Sequence, residues 1–347
     1  MTITLAHPAM ARPVGGADIW LTAGITEEHM DVNGTLDRRS LLKLAGGAAA
    51  LGALGSVGLT GPASAAGNGF GLTITDQAVF DRMNYFRFST SQIGWQPGVN
   101  VLLPDDYYST TTRRYPVYYL LHGGAQDFRK FDMEDDIRGL TAGRKLIVVM
   151  PDGGTAGWYS NPKTSYSGPR NWENFHINQL IPWVDANFRT YAEYDGRAVG
   201  GFSMGGFGAL KYTAKYYGHF ASVSSHSGPA SLRRDGGAVV HWANQSSKVD
   251  LNGGTIYGEP FWDQGRVTAD NPVERINSYL NKRIFMVCGL DQDVNETFVR
   301  NGQREWRGIL ASRGIPHEWY ELPGAHFVRR DMLQRDIDGV IGRLKKA

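Results

Sequence analysis

The pattern of hydrophobic and polar positions changes near residue 115. Before about residue 104 apolar and polar residues alternate, as in Leu72-Thr73-Ile74-Thr75 and Val99-Asn100-Val101-Leu102. Strict alternation predicts half-buried strands, which in this setting favours antiparallel pairing. After residue 115 short, continuous apolar runs alternate with amphipathic segments, which predicts a mainly parallel sheet with helices on both faces.

The apolar runs predict strands at Val117–Leu121, Leu146–Met150, Ala198–Phe202, Ala221–Ser224, Ile284–Val287 and His317–Leu322. The amphipathic segments predict helices near Trp172–Phe188, Met204–Tyr217, Asn295–Ser312 and Asp331–Lys345. Residues 227–271 are rich in glycine and aromatic side chains, and we expect an irregular excursion over the sheet rather than a second domain. The prediction is therefore one α/β domain over residues 66–347.

Charge and cysteine content narrow the class of protein. The 347 residues carry 36 Lys and Arg against 34 Asp and Glu, a net charge of +2, which gives no basic excess for a dedicated nucleic-acid binder. The single cysteine, Cys288, excludes an intramolecular disulfide and a thiolate metal cluster. No strongly apolar run is long enough to predict a membrane span in the mature protein. The sequence does not indicate an oligomeric state.

Residues 1–65 have the features of an export signal. Arg38 and Arg39 precede a weakly apolar run, Leu44–Thr60, and Ala63-Ser64-Ala65 offers a small-residue cleavage site. This arrangement resembles a twin-arginine signal. Five glycines dilute the apolar run and no charged stop follows it, so a membrane anchor is the weaker alternative. We expect a secreted, extracytoplasmic protein, with Met30 as a possible true start.

The motif Gly201-Phe202-Ser203-Met204-Gly205 joins a predicted strand to a predicted helix. A serine in this context is a nucleophile elbow, in which flanking glycines avoid clashes around a strained turn. The amide of Met204, at the start of the helix, would face a developing oxyanion. The sequence thus predicts Ser203 as a nucleophile.

A serine nucleophile needs a base and an acid, which in this architecture follow it in the order serine, acid, histidine. Among the histidines His326 alone combines this order with a place at the carboxyl edge of the sheet. The acid is expected after the strand Ile284–Val287, where Asp291, Asp293 and Glu296 are all candidates. Either aspartate could instead cap a helix, and spacing does not decide among the three.

The second oxyanion donor is expected from the loop after Val117–Leu121. This loop contains His122-Gly123-Gly124, and we choose the amide of Gly124, with His122 ordering the turn. Trp158 and Tyr159 are candidates for substrate contacts, with Trp242, Trp262 and Tyr257 as further aromatic candidates. Packing in the core is the alternative for each of them.

The chain resembles the putative-esterase family of α/β-hydrolases, which includes esterase D, tributyrin esterases, feruloyl esterases and the antigen 85 mycolyltransferases. The matching stretches include Leu120-Leu-His-Gly-Gly-Ala-Gln-Asp127, Val148-Val-Met-Pro-Asp-Gly-Gly154, Gly200-Gly-Phe-Ser-Met-Gly-Gly206 and Phe298-Val-Arg300. The resemblance implies an α/β-hydrolase fold, ester-type acyl transfer, no metal or other cofactor, and a triad of Ser203, an acid and His326.

The resemblance also bears on the acid and the substrate. In the antigen 85 branch a glutamate stands two residues before a matching Phe-Val-Arg, which puts Glu296 first, whereas plain esterases favour Asp293 or Asp291. Where the antigen 85 branch carries an acidic residue and a nearby arginine, the oxyanion loop has His122 and then Gly-Gly-Ala-Gln, and its nearest arginine, Arg129, comes only after Asp127. The elbow also ends Met-Gly-Gly, as in plain esterases. We therefore expect hydrolysis of small-molecule or lipid esters. Acyl transfer to a sugar or glycerol hydroxyl is the first alternative, and a non-catalytic surface or binding protein on a hydrolase scaffold is the second.

Overall fold

Nine strands form one sheet in the computed structural model, which describes residues 66–347. Their order across the sheet is β1-β2-β3-β5-β4-β6-β7-β8-β9. The strands are β1 (Thr73–Phe80), β2 (Met83–Ser89), β3 (Gly98–Leu102), β4 (Val117–Leu121), β5 (Ile147–Pro151), β6 (Arg197–Phe202), β7 (Ser222–His226), β8 (Arg283–Gly289) and β9 (Glu318–Leu322).

The pairing of the strands follows the change in sequence pattern. The first three strands pair antiparallel with one another, and β3 pairs antiparallel with β5. From β4 to β9 every pairing is parallel. The strands β4 to β7 are buried along their whole length, because helices cover both faces and leave no polar side to the sheet. The predicted sheet is confirmed.

The α-helices are α1 (Lys130–Met133), α2 (Ile137–Leu140), α3 (Trp172–Asn174), α4 (Ile181–Asn187), α5 (Met204–Lys215), α6 (Arg234–Ser247), α7 (Gln264–Asp270), α8 (Val294–Ser312) and α9 (Arg330–Arg343). A π-helix, Phe175–Leu180, joins α3 to α4, so the helix predicted over Trp172–Phe188 has three parts. Short 3₁₀ turns lie at Tyr194–Gly196, Pro272–Glu274 and Ile276–Tyr279.

The expectation of an irregular excursion over residues 227–271 is wrong in its secondary structure, since α6 and α7 lie within it. Gly236 and Gly237, two of the glycines in this stretch, lie at a kink in α6. Asp235, Gly236 and Gly237 all have positive φ values, of 53°, 68° and 83°. A left-handed backbone is inexpensive for glycine, so the chain turns there and resumes a regular helix to Ser247.

The apolar core lies on both faces of the sheet. Side chains of one strand alternate between the two faces, so Tyr119 joins the larger layer and its neighbour Tyr118 joins the smaller one. The larger layer includes Phe207 of α5, and the smaller one includes Ile337 of α9. Between the two layers, the carboxyl ends of the parallel strands lie together at one edge of the sheet.

The predicted export signal, residues 1–65, and the possible start at Met30 lie outside the described residues. Within residues 66–347, none of the helices is both long enough and apolar enough to span a bilayer.

Candidate active site

Ser203 lies in a sharp turn between β6 and α5. Its backbone has φ 52° and ψ −117°, a conformation that residues other than glycine rarely adopt. The glycines around it are required by contact with the neighbouring strand. A Cβ at Gly201 or at Gly205 would collide with the carbonyl oxygen of Leu121. The motif therefore lets the turn pack directly against the loop that follows β4.

His326 links Ser203 to Glu296 through one hydrogen bond at each ring nitrogen. Its Nε2 lies 2.7 Å from Ser203 Oγ, and its Nδ1 lies 2.5 Å from Glu296 Oε2. Ser203 is only 5% exposed, while the imidazole is 16% exposed and can be reached from solvent. Because the carboxylate of Glu296 can only accept a hydrogen bond, Nδ1 carries the proton when the ring is neutral. Nε2 then accepts the hydrogen bond from the hydroxyl of Ser203.

Glu296 is fully buried, in the first turn of α8. Its second oxygen, Oε1, accepts hydrogen bonds from Ser227 Oγ, at 2.8 Å, and from the amide of Gly289. A buried carboxylate is costly unless its oxygens find donors, and here both oxygens have them. Sequence reasoning missed Ser227 and Gly289, because they reach the carboxylate from the adjacent carboxyl ends of the parallel strands β7 and β8 rather than through a motif.

The other two acid candidates do not meet the histidine. Asp293 is the N-cap of α8, and its carboxylate accepts the amide of Glu296 at 2.8 Å. Asp291 accepts the amide of Gly324 at 3.0 Å and so ties the loop after β8 to the loop that carries His326. Glu296, the first choice of the resemblance, is the carboxylate that the structure places on the ring.

The loop after β4 is braced on both sides of Gly124. The amide of Gly123 donates to the side chain of Gln126 at 2.9 Å, and the amide of Ala125 donates to Thr155 O at 2.8 Å. This loop passes beside the elbow, where a Cβ at Gly123 would strike the ring of Phe202. Met204 opens α5, and a first-turn amide has no acceptor within its own helix.

His122 orders this loop, as expected. Its Nε2 accepts the amide of Gly153 at 2.8 Å, which leaves the proton on Nδ1 to bond Gly123 O at 2.7 Å. The hydroxyl of Tyr159 donates to His122 O at 2.9 Å from below.

The expectation that Trp158 and Tyr159 contact substrate is not supported by their positions. Trp158 is 2% exposed and Tyr159 is fully buried, because both rings pack into the larger core layer beneath the loop. Trp242, one of the further candidates, is half-buried instead, and its ring lies 6.3 Å from that of His326. Trp242 of α6 is thus a neighbour of the histidine, together with Phe202 of β6, whose ring lies 5.0 Å from it.

Buried charges support the elbow helix from behind. Lys211 and Lys215, on α5, form ion pairs with Glu173 and Asp270. Burial alone would raise the pKa of Glu173, but the two ammonium groups outweigh it and lower the pKa to about 2. On the opposite face Asp336 of α9 is fully buried and accepts from Tyr118, Ser224, His226 and Arg283.

Cys288 is fully buried at the end of β8 and lies close to the acid. Burial, with a further contribution from the negative charge of Glu296, raises the pKa of its thiol to about 12. A thiol in that state is a poor nucleophile. No group of three or more His, Cys, Asp or Glu side chains within residues 66–347 is arranged to hold a metal ion.

A model of the putative esterase family matches residues 90–330, which is most of the chain. The chain belongs to this family. A Mycobacterium tuberculosis (strain H37Rv) protein named as an esterase is 67% identical over an alignment of 291 residues, and the alignment covers 81% of this chain. The aligned region covers 63% of that relative, so this esterase-family chain spans less than two thirds of its length.

Solved structures confirm the predicted α/β-hydrolase fold of this esterase-family chain. Staphylococcus aureus fluorophosphonate-binding serine hydrolase F superposes with a TM-score of 0.61 at 20% identity, over 76% of this chain and 98% of that one. Mycobacterium tuberculosis MPT51 also gives a TM-score of 0.61, at 18% identity over 74% of this chain and 97% of that one. At these identities the likeness concerns the fold alone.

Proposed function

We propose that this protein hydrolyses carboxylic esters through an acyl-enzyme formed on Ser203. The observation that carries the proposal is the continuous hydrogen-bonded chain from Ser203 Oγ through His326 to the buried Glu296. The esterase name of the 67% identical relative supports the same reaction class. The alternative of a non-catalytic binding protein gains no support, since His326 lies within hydrogen-bond distance of both Ser203 and Glu296.

In the first step Ser203 Oγ attacks the acyl carbon while His326 Nε2 takes the hydroxyl proton. The imidazolium that forms is stabilised by Glu296, which also fixes the tautomer. The amides of Met204 and Gly124 stabilise the negative oxygen of the tetrahedral intermediate. His326 then gives its proton to the leaving alkoxide, and water repeats the sequence to release the acid and restore the serine.

The substrate class that we propose is a small-molecule or lipid ester with water as the acyl acceptor. In the loop after β4, residues 123–126 offer backbone amides and the Gln126 side chain, and the charged residues that follow, Asp127 and Arg129, are paired with each other. A transferase must hold an acceptor hydroxyl in place of water, usually with several directional hydrogen bonds. Acyl transfer to a sugar or glycerol is therefore the competing outcome that the experiment has to measure.

The test is a chain-length series of acyl esters, assayed with the wild type and with Ser203→Ala, in the presence and absence of excess trehalose or glycerol. We expect free acid to exceed acylated acceptor at every chain length. The Ser203→Ala variant should keep its circular dichroism spectrum and lose about three or more orders of magnitude in kcat. Activity of this variant within about tenfold of wild type would refute the assignment of Ser203 as the nucleophile. An excess of acylated acceptor over free acid would show that the protein is a transferase rather than a hydrolase.

We also propose export of the chain by a twin-arginine route, on the strength of the motif at Arg38 and Arg39. Replacing both arginines with lysine in the full chain keeps the charge and should retain the protein inside the cell. Unchanged amounts in the culture medium would refute this route and leave the proposed chemistry unaffected.

A further inference from the structure

Ser227 follows β7 directly and has an unusual backbone. Its φ is 49°, in the left-handed region that non-glycine residues avoid, although the residue is only 1% exposed and is locked in place. Its amide donates to Val287 O at 2.8 Å, which ties the turn to β8. Strain of this kind persists where the surrounding structure holds it, and it often marks a functional site.

The turn aims the hydroxyl at the acid. Ser227 Oγ lies 2.8 Å from Glu296 Oε1, and this oxygen also accepts the amide of Gly289. Glu296 is fully buried, so the protein must supply all the donors that water would otherwise provide. With His326 on the other oxygen, the carboxylate is held by three donors from three separate segments.

Gly289 permits this arrangement sterically. A Cβ at position 289 would collide with the carbonyl oxygens of Gly324 and Ala325, in the loop that carries His326. The glycine therefore allows the loop of the base to pass directly over the loop of the acid. Position 289 has no room for a side chain, so it can offer the carboxylate only its backbone amide. The side-chain donor to Oε1 is the hydroxyl of Ser227.

We propose that Ser227 is a positioning residue that sets the orientation of the Glu296 carboxylate for the reaction at Ser203. This inference rests on the proposed function. The hydroxyl fixes Oε1, so Oε2 stays in line with Nδ1 of His326. By drawing negative charge toward Oε1, it also moderates how strongly the carboxylate holds the imidazolium proton.

The test compares three variants of the full chain on one soluble ester. Ser227→Ala removes the hydroxyl. Ser227→Gly also removes it but suits the left-handed backbone, so it separates the loss of the hydrogen bond from any change in strain. Ser225→Ala is the matched control, since Ser225 is buried in β7, two residues before Ser227, and its hydroxyl donates to Gly228 O, at 3.3 Å, rather than to the acid.

We expect both Ser227 variants to lower kcat by about ten- to a hundredfold with little change in KM, the effect of losing a hydrogen bond to a charged group. The acid limb of the pH profile of kcat/KM should move to higher pH, because the carboxylate that has lost a donor holds the imidazolium more tightly. Ser225→Ala should retain the wild-type kcat and the wild-type pH profile.

Two outcomes would overturn the inference. Wild-type kcat in Ser227→Gly would mean that the hydroxyl is dispensable, and an equal loss in Ser225→Ala would mean that the packing of β7, not the acid, is responsible. The Ser203→Ala variant separates this inference from the proposed function. If that variant is inactive while the Ser227 variants are normal, only the role of Ser227 fails.

Discussion

Replacing Glu296 with Gln removes one charge while leaving the shape of the side chain almost unchanged. The amide can present its oxygen to only one of two groups, since its nitrogen donates. Oε1 now serves Ser227 and Gly289, so these donors would retain the amide oxygen and turn the NH₂ group toward His326 Nδ1. The ring would then accept at Nδ1 and carry its proton on Nε2, the wrong tautomer for a base.

The magnitude follows from that tautomer. Replacing the acid of a Ser-His-Asp triad by its amide lowers kcat by about 10⁴, and we expect a loss of this order in Glu296→Gln. Asp293 provides the contrast, because it caps α8 and bonds the amide of Glu296 rather than the histidine. Asparagine caps a helix as well as aspartate does, so Asp293→Asn should stay within about threefold of wild-type kcat.

The assay is the pH dependence of kcat and KM for both variants on one soluble ester, with thermal unfolding as the control for folding. The Glu296→Gln variant should keep its unfolding midpoint within a few degrees, while Asp293→Ala, which removes the cap, should lose about 1 kcal/mol of stability. A crippling effect of Asp293→Asn together with an active Glu296→Gln would refute the reasoning, since the loop aspartate would then be the acid.

Three further predictions concern the surroundings of the site. Gly205→Ala should lower the free energy of unfolding in urea by about 1–3 kcal/mol, because the new Cβ would collide with the carbonyl oxygen of Leu121. Gly218→Ala should not, because no neighbouring atom would lie within 4 Å of the new Cβ. The pKa of Glu173 is lowered from its ordinary value of 4.5 to about 2, so its ion pairs stabilise the protein fully at pH values above 4.5 and lose that effect as the pH falls toward 2. The difference in unfolding free energy between wild type and Glu173→Gln should therefore shrink over this pH interval. The pKa of Cys288 is raised to about 12, so a thiol-alkylating reagent at neutral pH should leave the proposed esterase activity intact until the chain unfolds, and rapid inactivation of the native protein would contradict this.

The sequence predicted best those features that arise from local pattern. The strand Val117–Leu121 agrees residue for residue, and the other predicted parallel strands agree to within about two residues at each end, because a strand covered on both faces must be apolar throughout. Ser203 and His326 could be placed because the elbow motif and the chain order fix which loops meet at the carboxyl edge of the sheet. These inferences need only the topology, not the packing of side chains.

The remaining features depend on packing. Three carboxylates lie within six positions, Asp291 to Glu296, and only the start of α8 decides which of them turns inward. Asp293 serves as the cap and Glu296, one turn later, points to the histidine. Trp158 lies in the core because the loop before it folds under the elbow, a contact that no local pattern encodes. Ser227 was missed for the same reason: its hydroxyl matters only because β7 and β8 bring it to a buried carboxylate 69 positions away. The residues that hold a reactive group in place are thus harder to find than the reactive group itself, since their chemistry is ordinary and only their contacts make them specific.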